Sequence, residues 1–379
     1  MSNHDEARLG EFWSLSKEKT ITLATRIGAS FPHAAHSGFY LNEEPRWWTA
    51  GFYPGLLWLF HRDEATPLFK EIAQACEDKL DQPLNNVEHL DHDLGFMWTL
   101  TSITQYRLTG NDLSRRRALT AASHLLGRFN LRGNYIRAWN PWSVDEDNAG
   151  LAIIDCMMNL PLLYWATATT GDPRYRHIAM AHADMVLKHF IRPDGSVHHI
   201  VRFNPETGEV VEALGGQGYS SESAWARGTS WALYGLTLSY RYTGNEAYLH
   251  AAKRVAHFFL SALGPDGVPD WDFRLPESAP QGKDTSAGAC AASGLLELAQ
   301  VVPANEAKLY KGQAQELLLN LVDKCGNWDR NNEGLLLHGA GHVPQGGNTD
   351  NPLIYGDYYL VEALAKLRGQ NGLFSTFTS

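Results

Sequence analysis

The sequence predicts an all-α fold, an (α/α)6 barrel with six apolar inner helices, six amphipathic outer helices and a small β-hairpin insertion at one rim. Three observations predict it. A three-residue signature recurs at Thr109-Gly110-Asn111, Thr170-Gly171-Asp172 and Thr243-Gly244-Asn245. The stretches before these turns are apolar nearly all round, as a helix covered on both sides would be. The stretches after them carry one apolar stripe and one wet face.

The signature reads as a helix end followed by a helix start. Glycine takes the left-handed conformation that closes a helix, and the Asn or Asp after it accepts a backbone N–H at the start of the next. Six inner stretches follow in order, at 48–60, 93–106, 153–169, 227–242, 285–301 and 355–367. A repeat this long marks a supersecondary unit of two helices with connecting loops. Among outer stretches, Tyr248, Ala251, Ala252, Val255, Phe258 and Phe259 share one face. Residues 189–212 differ: Pro193-Asp194-Gly195 and Asn204-Pro205-Glu206-Thr207-Gly208 are turns flanking 198–203, the expected rim hairpin. No linker or compositional break divides residues 1–379.

A net charge of −10 argues against nucleic acid and anionic membranes as partners. Arg115-Arg116-Arg117 reads as the solvated face of a helix. No apolar run spans a membrane, the first residues lack a signal-peptide pattern, and the four cysteines form no C-x-x-C pair. These features point to a cytoplasmic protein with buried thiols.

If the inner helices run the same way, their beginnings meet at one mouth. Trp48, Asp93, Asp155 and Arg227 then converge with Asp284 and Asp357. Asp155, between Ile154 and Cys156, has apolar neighbours on both sides. Desolvation there raises a carboxyl pKa and suits a general acid near neutrality; a capping Asp is the alternative reading. Asp93, in Leu90-Asp91-His92-Asp93-Leu94-Gly95-Phe96, reads either as a second site carboxyl or as a helix cap. The spacing of His89, Asp91, His92 and Asp93 matches no common zinc pattern, so no metal is expected. Trp47, Trp48, Trp139, Trp225 and Trp231 are placed at the mouth, where aromatic faces suit sugars. Trp58, Trp98 and Trp165 read as core. Arg227 has the fork to bind a carboxylate, or pairs with an internal Asp. His198, His199 and Gln217 stand where they close over the mouth.

Together these segments resemble the unsaturated glucuronyl hydrolases of glycoside hydrolase family 88. The likeness rests on Trp47-Trp48-Thr49-Ala50-Gly51-Phe52, the segment around Asp93, the run from Ile154 through Asp155 to Leu163, Ser223-Ala224-Trp225-Ala226-Arg227-Gly228 and Tyr355-Gly356-Asp357-Tyr358-Tyr359. It covers nearly the whole chain and implies the same barrel. It also implies hydrolysis, without a cofactor, of unsaturated uronate-containing di- or oligosaccharides left by polysaccharide lyases. C4 of the vinyl ether is protonated, water adds at C5, and the hemiketal falls apart. By motif position Asp155 matches the general acid and base and Asp93 the second essential carboxyl. Trp48, Trp139, His199, Gln217, Trp225, Arg227 and Trp231 match the substrate-site lining. Where a family member has Tyr before a late-loop His, this chain has Gly341 before His342. A Ser-x-x-Ser-x-Lys stretch found in members that favour sulfated fragments is absent, so unsulfated fragments are expected. An unsaturated rhamnogalacturonyl hydrolase, a sugar 2-epimerase on the same barrel and an inactive sugar-binding protein are the competing readings.

Overall fold

The computed structural model describes residues 3–375 apart from 142, 144 and 145. Its inner helices are Phe52–Asp63, the broken segment Leu94–Trp98 through Thr104–Thr109, Leu160–Thr170, Ala226–Thr243, Thr285–Val301 and Ile354–Leu367. The outer helices are Asn3–Ile27, Pro67–Lys79, Asp112–Gly127, Pro173–His189, Glu246–Ala262 and Ala304–Cys325. The sixth inner helix packs against both the fifth and the first. That contact closes the ring and excludes an open solenoid, in which the ends would not meet.

The turn signature works as the residues dictate. Gly110, Gly171 and Gly244 have φ of 72°, 74° and 68°, and the side chains of Asn111, Asp172 and Asn245 accept the N–H groups of Leu113, Arg174 and Ala247. Each turn reverses the chain from the inner to the outer ring. Trp58, Trp98 and Trp165 are buried in the core, and all four cysteines are buried and unpaired.

Three features depart from the sequence reading. The rim hairpin, Ile200–Phe203 with Val210–Leu214, gains a third antiparallel strand, Leu151–Ile153. Three residues are too few to show a strand period, so the sequence read them as the start of a helix. The third inner helix begins later than expected. Pro161 lies in its first turn, and residues Ile154–Met158 form a separate 3-10 turn ahead of it. Arg117 is not on a solvated face. Its guanidinium is 6% exposed and pairs with Glu77, Asp78 and Asp81, while Arg115 and Arg116 pair with Asp112 in solvent. Successive helical residues point about 100° apart, so three in a row cannot share one wet face.

Candidate active site

The mouth of the barrel is assembled from helix beginnings and the rim sheet. Asp93 is the N-cap residue of Leu94–Trp98, Asp155 lies in the 3-10 turn, and Arg227 and Tyr355 lie in the first turns of their helices. The rim sheet brings in His199. Ile153 pairs with Ile200, and the ladder continues with Ile154 N–H donating to the His199 carbonyl at 3.0 Å. Asp155 and His199 are therefore neighbours by strand register.

The predicted residues fall into three groups. Trp48, Asp93 and Trp139, with Trp47 and Asp91, line a cavity of about 1720 Å³. Asp155, His199, Gln217, Trp225 and Arg227 form a knit cluster beside it. Trp231 lies one turn below Arg227, with its ring packed against Phe96 and Tyr359 at 5.2 and 5.4 Å and 1% exposure. The placement of Trp231 at the mouth is thus corrected: four residues into a helix is one turn down. Asp357 also leaves the mouth. It accepts from Tyr40 Oη and from the N–H groups of Leu335 and Leu336, and burial pushes its carboxyl up to about 6. His198 is turned to Arg192 and the Ser221 carbonyl.

Within the knit cluster, Gln217 N–H donates to His199 Nδ1 at 2.9 Å. The Gly215 carbonyl also stands 3.2 Å from Nδ1, but the Gln217 N–H is closer and can only donate, which favours a lone pair on Nδ1 and the ring proton on Nε2. That atom stands 3.5 Å from Asp155 Oδ1. The His199 ring lies on Trp225, with centroids 4.4 Å apart. Arg227 is 2% exposed and sandwiched between Trp225 and Tyr355. Its fork is not open: Nη1 bonds Asp284 Oδ2 and the Ala340 carbonyl, and Nη2 bonds Gln217 Oε1 at 2.8 Å and the Gly341 carbonyl at 2.6 Å. The internal Asp pairing therefore holds, and no bidentate carboxylate clasp is free on these two nitrogens. With the Gln217 oxygen occupied, its amide N–H group is left to donate.

The two carboxyls differ in proton affinity. Asp93 is pushed well above the ordinary carboxylate range by burial, then by the charges of Asp155 and Asp91. Burial also pushes Asp155 upward, but the neighbouring His199 and the Arg227 charge outweigh it and hold its carboxyl below that range. The expectation that Asp155 is the raised carboxyl meets the opposite direction: Asp93 is the one pushed up and Asp155 the one held down. The apolar neighbours of Asp155 in the chain did not reveal the imidazole opposite. His92, with Nε2 3.5 Å from Asp93 Oδ1, is held near 3 by burial and is neutral. Asp91 accepts the Asn140 N–H at 2.8 Å and anchors the loop bearing Trp139. Among the described residues, no three or more His, Cys, Asp or Glu side chains are grouped to hold a metal ion.

Residues 22–377 match the model of Glycosyl Hydrolase Family 88. The chain belongs to that family. An unsaturated glucuronyl hydrolase of Bacillus sp. (strain GL1) is 37% identical over 353 residues, covering 92% of this chain and 93% of the relative. Its crystal structure superposes with a TM-score of 0.90 at 35% identity, covering 96% and 98% of the two chains. An unsaturated chondroitin disaccharide hydrolase of Streptococcus pyogenes serotype M1 is 36% identical, covering 84% and 80%. An unsaturated glucuronyl hydrolase from Streptococcus agalactiae, complexed with dGlcA-GalNAc6S, matches with a TM-score of 0.81 at 31% identity, covering 95% and 91%. As a Family 88 member this chain is a glycoside hydrolase on an (α/α)6 barrel.

Sequence reasoning did not single out His33, His92, Asn159 and His342 as site residues. His33 lies between Trp47 and Tyr355 and is held near 4 by burial and Arg227. Asn348 ties His33 to the late loop through its Nδ2. In that loop, a side chain at Gly341 would sit 2.9 Å from Asn348 Cβ and the Gly347 carbonyl. The signal in all four is the same: a polar residue inside an apolar or loop context, facing a partner distant in sequence.

Proposed function

We propose that this glycoside hydrolase removes the non-reducing-end 4-deoxy-hex-4-enuronate from unsaturated oligosaccharides left by polysaccharide lyases. The observation that carries the reading is the pair of buried carboxyls at the mouth, Asp93 pushed above the ordinary range and Asp155 held below it, beside the aromatic walls of Trp48 and Trp139. Such a pair holds one proton across neutrality and can lend it without bulk water.

The uronate ring lies against Trp48 and Trp139, with its carboxylate toward the Gln217 amide and the His199 Nε2–H. Arg227 acts by orienting Gln217 and by its charge. The substrate's negative charge beside His199 weakens the influence that holds Asp155 down, and sugar hydroxyls donating to Asp93 favour its carboxylate. The proton of the pair then passes to Asp155, which delivers it to C4. Positive charge develops at C5 and the ring oxygen. The Asp155 carboxylate next takes a proton from the water that adds at C5, and the resulting hemiketal opens and releases the second sugar. No glycosidic oxygen is protonated first, unlike the usual two-carboxylate scheme.

The second sugar is read as unsulfated. No lysine lies between Lys324 and Lys366, and the late loop closes tightly on itself at Gly341, with His342 N–H on the Gly347 carbonyl at 2.7 Å. A cytoplasmic setting is supported by four unpaired thiols. Among the described residues no helix is long and apolar enough to cross a membrane.

The test is a panel of lyase-generated disaccharides, sulfated and unsulfated, glucuronyl and galacturonyl-rhamnose, followed by loss of the double-bond ultraviolet absorbance. Turnover of unsulfated glucuronyl members first is expected. Faster galacturonyl-rhamnose turnover would favour the rhamnogalacturonyl reading. A preference for sulfate would defeat the sulfation reading, and intact absorbance across the panel would defeat the hydrolase reading.

A further inference from the structure

We infer that Asn159 is a positioning residue for the carboxyl pair: it caps the helix that Asp93 begins, and so leaves the Asp93 side chain free to face the cavity. The inference rests on the function proposed above for that pair.

An N-cap Asp ordinarily accepts an N–H from the second or third residue of its helix. Asp93 occupies the N-cap position of Leu94–Trp98 but makes no such bond. The N–H of Phe96, the third residue, donates instead to Asn159 Oδ1 at 2.8 Å. Asn159 comes from a different element, the junction between the 3-10 turn of Asp155 and the third inner helix, and it is wholly buried. Because Phe96 N–H can only donate, the amide orientation is determined: Oδ1 points at Phe96 and Nδ2 points away. Nδ2 lies 3.4 Å from the Asp155 carbonyl, on the side where the amide lowers the proton affinity of the Asp93 carboxyl. One side chain thus bonds both the backbone of the Asp93 helix and the backbone of Asp155.

Gly95 makes this possible. A Cβ there would stand 2.3 Å from Asn159 Cα, 2.6 Å from its carbonyl oxygen and 2.7 Å from Oδ1. Two of these are backbone atoms and cannot yield. Gly95 and Asn159 therefore act as a matched pair. Were Asp93 to cap its own helix, its carboxyl would turn back onto backbone N–H groups and be held ionised by them and by the helix dipole. Freed from that duty it lines the cavity, where burial raises its carboxyl.

The groups facing Asp93 are Asp91 and His92 from its own segment, Asp155 and Cys156 from the 3-10 turn, and Arg128 from the outer-helix end. His199 acts through Asp155. Among the described residues, Asn159 is the one that caps the Asp93 helix and also bonds the backbone of Asp155.

Three variants, Asn159→Ala, Asn159→Asp and Gly95→Ala, test the inference through the pH dependence of kcat and kcat/KM. Asn159→Ala removes a donor that favours the Asp93 carboxylate, so the alkaline limb should move to higher pH, with kcat down by about tenfold or more from lost orientation. Asn159→Asp keeps the cap for Phe96. While its carboxyl is protonated its O–H can donate to Asp93, so activity should approach wild type at acid pH. It should collapse as that carboxyl ionises, at a lower pH than in wild type. Gly95→Ala should reproduce the Asn159→Ala profile. A purely structural role would lower activity uniformly without moving these limbs, and that result overturns the inference. Isotope-edited carboxyl titration of Asp93 in wild type and Asn159→Asp needs no substrate, and an unmoved Asp93 also overturns it. An inactive wild type with a shifted Asp93 titration would instead sink the proposed substrate and leave the positioning role standing.

Discussion

The two ends of the barrel both bury ionisable groups, and they treat them in opposite ways. At the far end Glu362 accepts from Tyr234 Oη, Ser293 Oγ, Tyr358 Oη and the Leu373 N–H. Lys366 donates to Tyr234 Oη and the Ser293 carbonyl and lies 2.8 Å from Glu297, which also takes Arg241. At the mouth, buried Asp155 Oδ1, His199 Nε2, His92 Nδ1, His33 Nδ1 and His342 Nδ1 have no hydrogen-bond partner among the described residues. Buried polar atoms are nearly always satisfied by something. In the far cluster Glu297 Oε2 also lacks a hydrogen bond, but the Lys366 ammonium at 2.8 Å neutralises it; the mouth instead has imidazoles and a carboxylate arranged for a ligand to finish.

Substitutions at the two ends should therefore fail differently. Asp155→Asn should lower turnover of an unsaturated disaccharide by roughly 10²–10⁴-fold while thermal unfolding stays near wild type; a variant that keeps a tenth of wild-type turnover breaks the contrast. Lys366→Met should do the reverse. It strips a cation from a wholly buried cluster and should cost about 3–5 kcal/mol in urea unfolding, with turnover per folded molecule unchanged. A stable but inactive Lys366→Met would show the two ends to be coupled. The smallest effect sharpens the mouth itself. In Asp155→Asn the negative charge that helps hold Asp93 up is gone, so carboxyl titration should find the Asp93 pKa lower than in wild type. An unchanged value would mean that burial alone keeps Asp93 protonated.

Much of the barrel was legible because its signals are local. A glycine with a capping residue after it, as at Gly110-Asn111, needs no distant partner to be read, and neither does an all-round apolar stretch such as 285–301. The convergence of Asp93 and Asp155 followed from helix direction alone. What escaped was set by partners far along the chain. Asp155 is held below the ordinary carboxylate range because His199 is delivered by the rim sheet, and that sheet needs a three-residue strand without a visible period. Arg117 is buried because Glu77 waits on a neighbouring helix. Arg227 looked like an open clasp because nothing near it in sequence announced Asp284. Trp231 was readable: its spacing from Arg227 already put it one turn deeper.

The rim sheet carries one further consequence. The spacing between the carboxylate at 155 and the imidazole at 199 is metered by rungs of backbone hydrogen bonds between Leu151–Ile153 and Ile200–Phe203. The hairpin's turn at 204–209 lies at the opposite end of those rungs. That turn packs on residues 130–133, so lengthening or rewriting it does not alter the gauge between the Asp155 and His199 side chains. The tip of these strands is thus free to change under selection while their root keeps carboxylate and imidazole in register.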